Sequence, residues 1–450
     1  MDIIPGMEDV LGQLPRLKGY THLVLCFLAE DLSREATTEA LYKASHRLAV
    51  AFPWLAGQVV HQGVGPGCSG TFTVARWHQR EVTASILRMQ DRSDVCPSYG
   101  DIIFSRGPSD LLDGPLLSTE TSLPDSYVEP TSAPVLVFTA SWINDGLLLD
   151  CAAHHNIMDM AGMGQVFQLL AIALQGQEFP RVAINAGNLD RSTVSPLLGP
   201  DEARCDHSHL RCPSRLGMSL RPPPSGPLPS YHYFRFSAAN LAQLKALTAP
   251  TGTAIHPPST DDALSAFIWK RLSVHRLHLG QLRTASTIFS RAVDCRRSLG
   301  VPKEYMGNMA IKCFSKMTFH SISDAPLAVI AAQLREDVQN ARDTYNLRSL
   351  ATFINEEPDK TTINFVPGFN PETDINSSSW AGVDAYNLEF GPLGKPQLVR
   401  RPNSKPVMGL LYFMPRTGIG DIDALLCLKD SEVQGLRSDK EWTQYASYIG

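Results

Sequence analysis

Two rhythms of apolar and polar positions divide the chain into strands and helices. Val135–Ile143 and Leu147–Ala153 are apolar runs rich in β-forming residues, and Asn144-Asp145-Gly146 between them is a tight-turn sequence, so the pair predicts a β-hairpin. Downstream, residues 162–174 (GMGQVFQLLAIAL) predict a largely buried helix. Leu23–Leu28 predicts a strand. Ser33 then stands as N-cap of a helix to about Phe52, with Leu41, Ala44, Leu48 and Ala51 on one face and Pro53 as its stop. In the second half Tyr231–Phe236 predicts a strand, and Ser237 caps a helix over Ala238–Thr248. Asp261–Leu272 predicts a helix, Thr284–Ala292 a buried strand, and Ala325–Tyr345 one long helix. Met408–Met414 and Ile422–Leu428 predict strands, and Asp430–Leu436 a short closing helix. Between the halves, Val194–Ser230 is rich in proline, most densely over Arg221–Pro229, which describes an extended connection.

Strands and helices mixed in both halves give the class α/β in the broad sense. The expected organisation is an N-terminal unit over 1–195, a Pro-rich connection over 196–230 and a C-terminal unit over 231–450. Composition narrows the setting. Hydrophobic residues make up 43% and charged residues 19%, normal for a soluble globular protein, and 450 residues suffice for a sizeable core. A net charge of −5 gives no reason to expect nucleic acid or an anionic membrane as partner. No apolar run approaches the roughly 20 residues of a membrane span, and the start lacks the regions of a signal peptide. Nine scattered cysteines fit reduced thiols in the cytoplasm. The cluster Cys205-x-His207-x-His209-x-x-Cys212 is too tightly spaced for separated ligand pairs, so no metal is expected there.

The candidate chemistry lies at the end of the hairpin. His154-His155-Asn156-Ile157-Met158-Asp159 places an imidazole and a carboxylate four residues apart where a core strand gives way to a loop and a helix. An imidazole held there is rigid and still reaches a cleft, as a general base must. Alternation puts Leu147, Leu149, Cys151, Ala153 and His155 on one face and Leu148, Asp150, Ala152 and His154 on the other, so only one histidine faces a given pocket. Two buried histidines satisfied by backbone carbonyls are the plainer reading of the motif alone. No Gly-rich phosphate loop or dinucleotide fingerprint occurs, which sets aside nucleotide hydrolysis and hydride transfer.

The motif resembles the His-x-x-x-Asp of the acyl-CoA-dependent BAHD acyltransferases, and the likeness continues along most of the chain. Phe52-Pro53-Trp54-Leu55-Ala56-Gly57 is similar to the family's Pro-x-Ala-Gly segment, and residues 259–269 (STDDALSAFIW) to its helix near the CoA site. Val293-Asp294-Cys295-Arg296 matches the Val-Asp-x-Arg strand and Tyr305-Met306-Gly307-Asn308 the Tyr-x-Gly-Asn turn. Ser378-Ser379-Trp380 followed by Glu389-Phe390-Gly391 resembles the Ser-Trp and Asp-Phe-Gly-Trp-Gly block. Met160 replaces the glycine that usually follows the motif aspartate, and Pro392-Leu393 replaces the Trp-Gly end. Both departures look like the fungal branch typified by trichothecene 3-O-acetyltransferase. The doubled histidine also resembles the motif of peptide-synthetase condensation domains, so a stand-alone enzyme drawing its acyl group from a carrier protein is the rival reading. A catalytically silent binding protein on the same fold is a third.

The resemblance implies two similar chloramphenicol-acetyltransferase-like domains with mixed sheets and an active-site tunnel between them. It implies acyl transfer, from acetyl-CoA by likeness to the fungal members, to a hydroxylated small molecule, by a monomer without a permanent cofactor. His155 would be the base. Asp159 reads either as the orienter of His155 or, as the family implies, as the partner of an arginine that holds the loop. Ser378 would face the tetrahedral intermediate, or serve only as a turn former, with Trp380 walling the site. Arg296 and Glu389, the latter beside Gly391, would form a structural ion pair unless they are unrelated surface charges. For CoA, Ser259 and Thr260 precede a predicted helix N-terminus that favours phosphate. Lys270, Arg291 and Arg297 are candidate basic partners, each readable also as a solvated charge.

Overall fold

The hairpin forms as β5 (Leu136–Ile143) and β6 (Gly146–His154), paired Ile143↔Gly146 across a turn in which Asp145 takes a left-handed φ of 61°. Every residue of both strands is buried, so each face must be covered. Leu147, Leu149, Cys151 and Ala153 face α1 (Arg34–Ala51) and α2 (Met160–Leu174), which close one side. Leu148 joins Val24, Cys26, Ile102 and Leu117 on the other. Covering a Leu-sized side chain is worth about 1.5–3 kcal/mol, and the hairpin does so on both sides. In this computed structural model the described residues are 2–77, 86–120, 133–215, 228–249, 256–279 and 285–450; residues 216–227, with most of the Pro-rich run, lie outside them.

Among the described residues the strands build two mixed sheets and a separate ribbon of β2 (Gln58–Gly65) and β3 (Cys68–Ala75). The first sheet has the order β11-β1-β6-β5-β4, with β1 Tyr20–Leu28, β4 Leu87–Asp91 and β11 Leu398–Arg400. The second has the order β14-β7-β13-β12-β10-β8-β9. Its strands are β7 Ser230–Phe236, β8 Ser286–Asp294, β9 Ala310–Thr318, β10 Ile375–Ser379, β12 Leu410–Phe413, β13 Ile422–Leu428 and β14 Ala446–Tyr448. Helices α3 (Ala238–Leu247) and α4 (Thr260–Leu279) cover its outer face together with α5 (Leu327–Ala341), through Leu241, Phe267, Trp269 and Leu334. Its inner face shares a core with the first sheet, since Tyr231, Tyr233, Leu425 and Cys427 belong to the same cluster as Leu23, Phe27 and Leu149.

Two expectations change. The single helix over Ala325–Tyr345 is two helices, α5 ending at Ala341 and α6 running Thr344–Glu356, because Asp343 accepts from the Asn346 amide at 2.8 Å and caps a new start. The pattern also missed β11, which crosses from the second half to pair Leu398, Val399 and Arg400 with Cys26, Leu25 and Val24. Arg400 fastens this crossing. Its guanidinium donates to the carbonyls of Gly107 (2.9 Å) and Arg106 (2.6 Å) beside the first sheet and pairs at 2.9 Å with Asp423 on β13 of the second.

Arg400 is fully enclosed, so its loss cannot be repaired by water. Arg400→Met should lower unfolding free energy in urea by about 3–5 kcal/mol, with both sheets losing structure in one transition.

Candidate active site

β6 ends at His154, and the chain turns through His155–Asp159 into α2. His154 stays in the sheet, opposite Tyr20 in register and in edge-to-face contact with its ring at 5.1 Å. His155 leaves the ladder, its amide donating to the Gly19 carbonyl (2.8 Å) and its carbonyl accepting from Asn308 Nδ2 (2.7 Å). The backbone is thus gripped from both halves. The Nδ1 atom is buried without a hydrogen-bond partner, and Nε2 makes no hydrogen bond among the described residues. Burial lowers the His155 pKa below the ordinary histidine value, and the Lys312 charge adds to that. Asp159 and the backbone of His155 and Met158 pull the other way without prevailing. His155 is therefore a neutral imidazole at neutral pH.

Asp159 does not orient that ring. Its two oxygens take the Arg296 guanidinium side by side at 2.8 and 2.9 Å, plus the amides of Gly162 and Met309 at 2.8 Å each. Arg296 also donates to Asp294 (2.8 Å) and to the carbonyls of Tyr305 (3.1 Å) and Gly307 (2.7 Å). Burial opposes the Asp159 charge, but Arg296 and the amides outweigh it, and the carboxyl sits below its usual range. The same amide makes Asp159 the N-cap of α2. A glycine is required at 162, where a Cβ would come within 2.2 Å of the Met306 carbonyl. The glycine absent after the motif aspartate is thus supplied three residues on, where the turn over Tyr305–Asn308 closes on the helix.

A second buried pair, unforeseen from sequence, braces the same loop. Arg191 Nη1 reaches Asp9 (3.0 Å) and the Ile157 carbonyl (2.6 Å), and Asp9 also accepts from Tyr305 and the Asn308 amide (3.2 Å). Burial raises the Asp9 carboxyl despite these partners. Asn156 ties the loop to the N-terminal segment through the Gly12 and Leu14 carbonyls at 2.5 and 3.0 Å. Only the Tyr-x-Gly-Asn motif pointed toward this group; Asp9 and Arg191 are isolated charges with no local signal.

In the second half, Ser378 lies on β10 and Trp380 follows it, the indole Nε1 donating to Ser378 Oγ at 3.1 Å, and Trp380 shares a core cluster with Ile157 and Met158 of the loop. Trp380 is buried against Tyr412, and Val383 just beyond packs on Gly164 of α2. The expected bridge between Arg296 and Glu389 is corrected. Arg296 is fully engaged with Asp159 and Asp294, while Glu389 is exposed and contributes its backbone carbonyl to Gln175 Nε2 (2.7 Å). Gly391 keeps a structural role, since its φ of 55° and its approach to the Leu174 carbonyl exclude a side chain.

The proposed phosphate donors separate. Ser259 caps α4 in a reciprocal arrangement with Asp262, at 2.7 and 3.2 Å. Arg291 is buried and neutralised by Asp261 and Asp262, and Arg335 joins them. These two are corrected: both already have partners, and the carboxylates at that helix start oppose a phosphate. Lys270 donates to the Ala325 carbonyl at 2.6 Å. Thr260 is half-buried at the start of α4, and Arg297 is exposed beside the Arg296 turn. In the 205–212 segment, His207 bonds Ser349 (3.0 Å) and Cys212 Sγ faces the Thr361 carbonyl (3.5 Å). All nine cysteines are free.

The chain is similar in sequence and in fold to known proteins. Residues 19–173 match the "Trichothecene 3-O-acetyltransferase-like N-terminal domain" and residues 110–443 the "Transferase family". O-acyltransferase pigD of Monascus ruber is 42% identical, with 98% of each chain covered. O-acetyltransferase epaC of Aspergillus niger is 38% identical over 98% of this chain and 96% of its own. The crystal structure of F. graminearum TRI101 complexed with coenzyme A and T-2 mycotoxin superposes with a TM-score of 0.89 at 31% identity, covering 98% of this chain and 99% of that one.

Two outcomes test the loop anchor. Arg296→Met, which strands the Asp159 carboxylate, should cost about 3–5 kcal/mol of stability by urea unfolding. The Asp159 pKa is depressed by folding, so its contribution is present above the unfolded carboxyl value near 3.8 and is lost as pH falls through the folded one. Asp159→Asn should therefore lose less stability than wild type as pH falls below about 4, in acid titration followed by circular dichroism.

Proposed function

The chain belongs to the Transferase family, with a trichothecene 3-O-acetyltransferase-like N-terminal domain, and from that premise we propose that it moves an acetyl group from acetyl-CoA to a hydroxyl of a fungal secondary metabolite, with His155 as general base. The observation that carries this reading is the His155 ring, its pKa lowered by burial, its Nδ1 without a partner and its carboxylate neighbour committed to Arg296. Such an imidazole needs no orienting acid to take a proton.

In the proposed step the acceptor hydroxyl gives its proton to His155 Nε2 as its oxygen attacks the thioester carbon, forming the C–O bond. The tetrahedral intermediate then collapses with cleavage of C–S, and the proton passes from His155 to the departing sulfur, leaving ester and free CoA. Thiols have a reference pKa near 8.5, so expulsion needs only this one proton handler. Ser378 supports the oxyanion. Its oxygen already accepts from Trp380, which leaves the hydroxyl hydrogen free for another acceptor. Asp159 and Arg296 position the loop and do not touch the reacting atoms. Arg297 stands as a CoA contact, and Tyr20–Leu25 with Asn364–Ser378 as the acceptor walls. A carrier-protein donor loses its basis, since the relatives matched along the whole chain are O-acyl- and O-acetyltransferases. No described helix is long and apolar enough to cross a membrane. Nine cysteines without a disulfide fit the reducing cytoplasm as its compartment.

Calorimetric titration with acetyl-CoA, then a screen of hydroxylated polyketides and terpenoids by thiol release, tests the proposal. Saturable binding at about −8 kcal/mol and acceptor-dependent thiol release are expected; binding of acyl-loaded carrier protein in place of acetyl-CoA would overturn it. With an acceptor in hand, His155→Ala should lower kcat about 10²–10⁴-fold with the melting temperature kept. The base acts when neutral and its pKa is lowered, so the acid limb of kcat/KM should lie below the ordinary histidine value of about 6.5.

A further inference from the structure

The ladder between β8 and β10 ends early. It runs in parallel from Ile375↔Phe289 to Ser377↔Arg291, while β10 continues against β12 through Ser378↔Tyr412 and Ser379↔Phe413. Beyond Ser377 the carbonyl edge of β10 has lost its neighbour on one side, and Lys312 fills the vacancy. From β9 its side chain crosses the small Ala292, its partner in register, and places Nζ 3.0 Å from the Ser377 carbonyl and 2.6 Å from Asn376 Oδ1. Neither partner is a carboxylate. Burial accordingly lowers the lysine to a pKa of about 8, still protonated at neutral pH.

An ammonium only donates, so it fixes which end of the Asn376 amide faces it. Oδ1 is turned to Lys312, and Ser290 Oγ approaches the same oxygen at 3.4 Å. Nδ2 is then the fork turned away from Lys312, and it makes no hydrogen bond among the described residues. Asn376 and Ser378 are two apart on one strand and project from the same face of the sheet. That face looks toward the first sheet, and the Lys312 charge acts on His155 across it.

We propose that Asn376 is a second hydrogen-bond donor to the oxyanion, beside Ser378, and that Lys312 is the positioning residue that presents its Nδ2 and backs it with positive charge. The inference rests on the acyl-transfer reading. It adds an amide N–H to a hydroxyl on one rigid strand, the kind of preorganised pair that stabilises a charge appearing only in the transition state. It also accounts for a lysine buried without a carboxylate: its counter-charge is the oxyanion, which forms during turnover.

The test uses the full chain with acetyl-CoA and an accepted alcohol, following thiol release. Asn376→Asp keeps the shape and gives Lys312 a carboxylate, so the fold is preserved, but no N–H remains. Asn376→Ala removes the donor without adding charge. Both should lower kcat about 10²–10³-fold while leaving KM for acetyl-CoA and its calorimetric affinity near wild type. Lys312→Met should lower kcat as well, and adding it to Asn376→Ala should cost little more, because the lysine acts through the amide. Wild-type kcat in either Asn376 variant overturns the proposal, as do losses that multiply in the double variant. Absence of acetyl-CoA binding in the wild-type protein would instead overturn the acyl-transfer reading and this inference with it.

Discussion

The ion pair between Asp159 and Arg296 is the contact on which the rest of the site depends. It joins the loop after β6 in the first half to the strand end after β8 in the second, with two hydrogen bonds of 2.8 and 2.9 Å. The same carboxylate caps α2 and takes the Met309 amide, so helix start, His155 loop and β9 entry share one anchor. A buried pair of this kind adds little net stability compared with apolar packing, but it tolerates only one geometry. What it contributes is the placement of His155 relative to the second sheet.

That placement leaves the histidine ring without a carboxylate partner. In a triad a carboxylate would fix the ring and raise its basicity; here the nearby carboxylate is spent on arginine, and burial pushes His155 toward its neutral form. Rigidity comes instead from the backbone, through Gly19 on one side and Asn308 on the other. Both bonds are made by groups from outside the loop, and one comes from the other half. The site is thus complete only when the halves are together, and Arg400 on β11 holds them so.

The polar groups of the second sheet follow a matching logic. Its outer face is covered by helices, whereas its inner face carries Lys312, Asn376 and Ser378 where β8 and β10 part. The ionic cluster around Arg291 lies on the other side, sealing α4 to the sheet. Two positive side chains one sheet apart therefore differ in kind. Arg291 is neutralised within the fold, whereas Lys312 meets only neutral oxygens.

By itself the sequence determined the local elements and the identity of the chemistry. Alternation and the Asn144-Asp145-Gly146 turn gave the hairpin, residues 422–428 gave β13 without error, and the family motifs in order singled out His155. These signals are local, because strand period, caps and turns are set by near neighbours. The tertiary structure decided the pairings. Arg296 was expected against Glu389 and is found against Asp159; Ser259 and Arg291 were expected to meet phosphate and instead seal α4. Asp9, Arg191, Lys312 and Asn376 carried no signal, since each is a single polar residue whose role comes from a partner 64 or more positions away. A charge's meaning depends on what it is buried beside, and only folding brings those groups together.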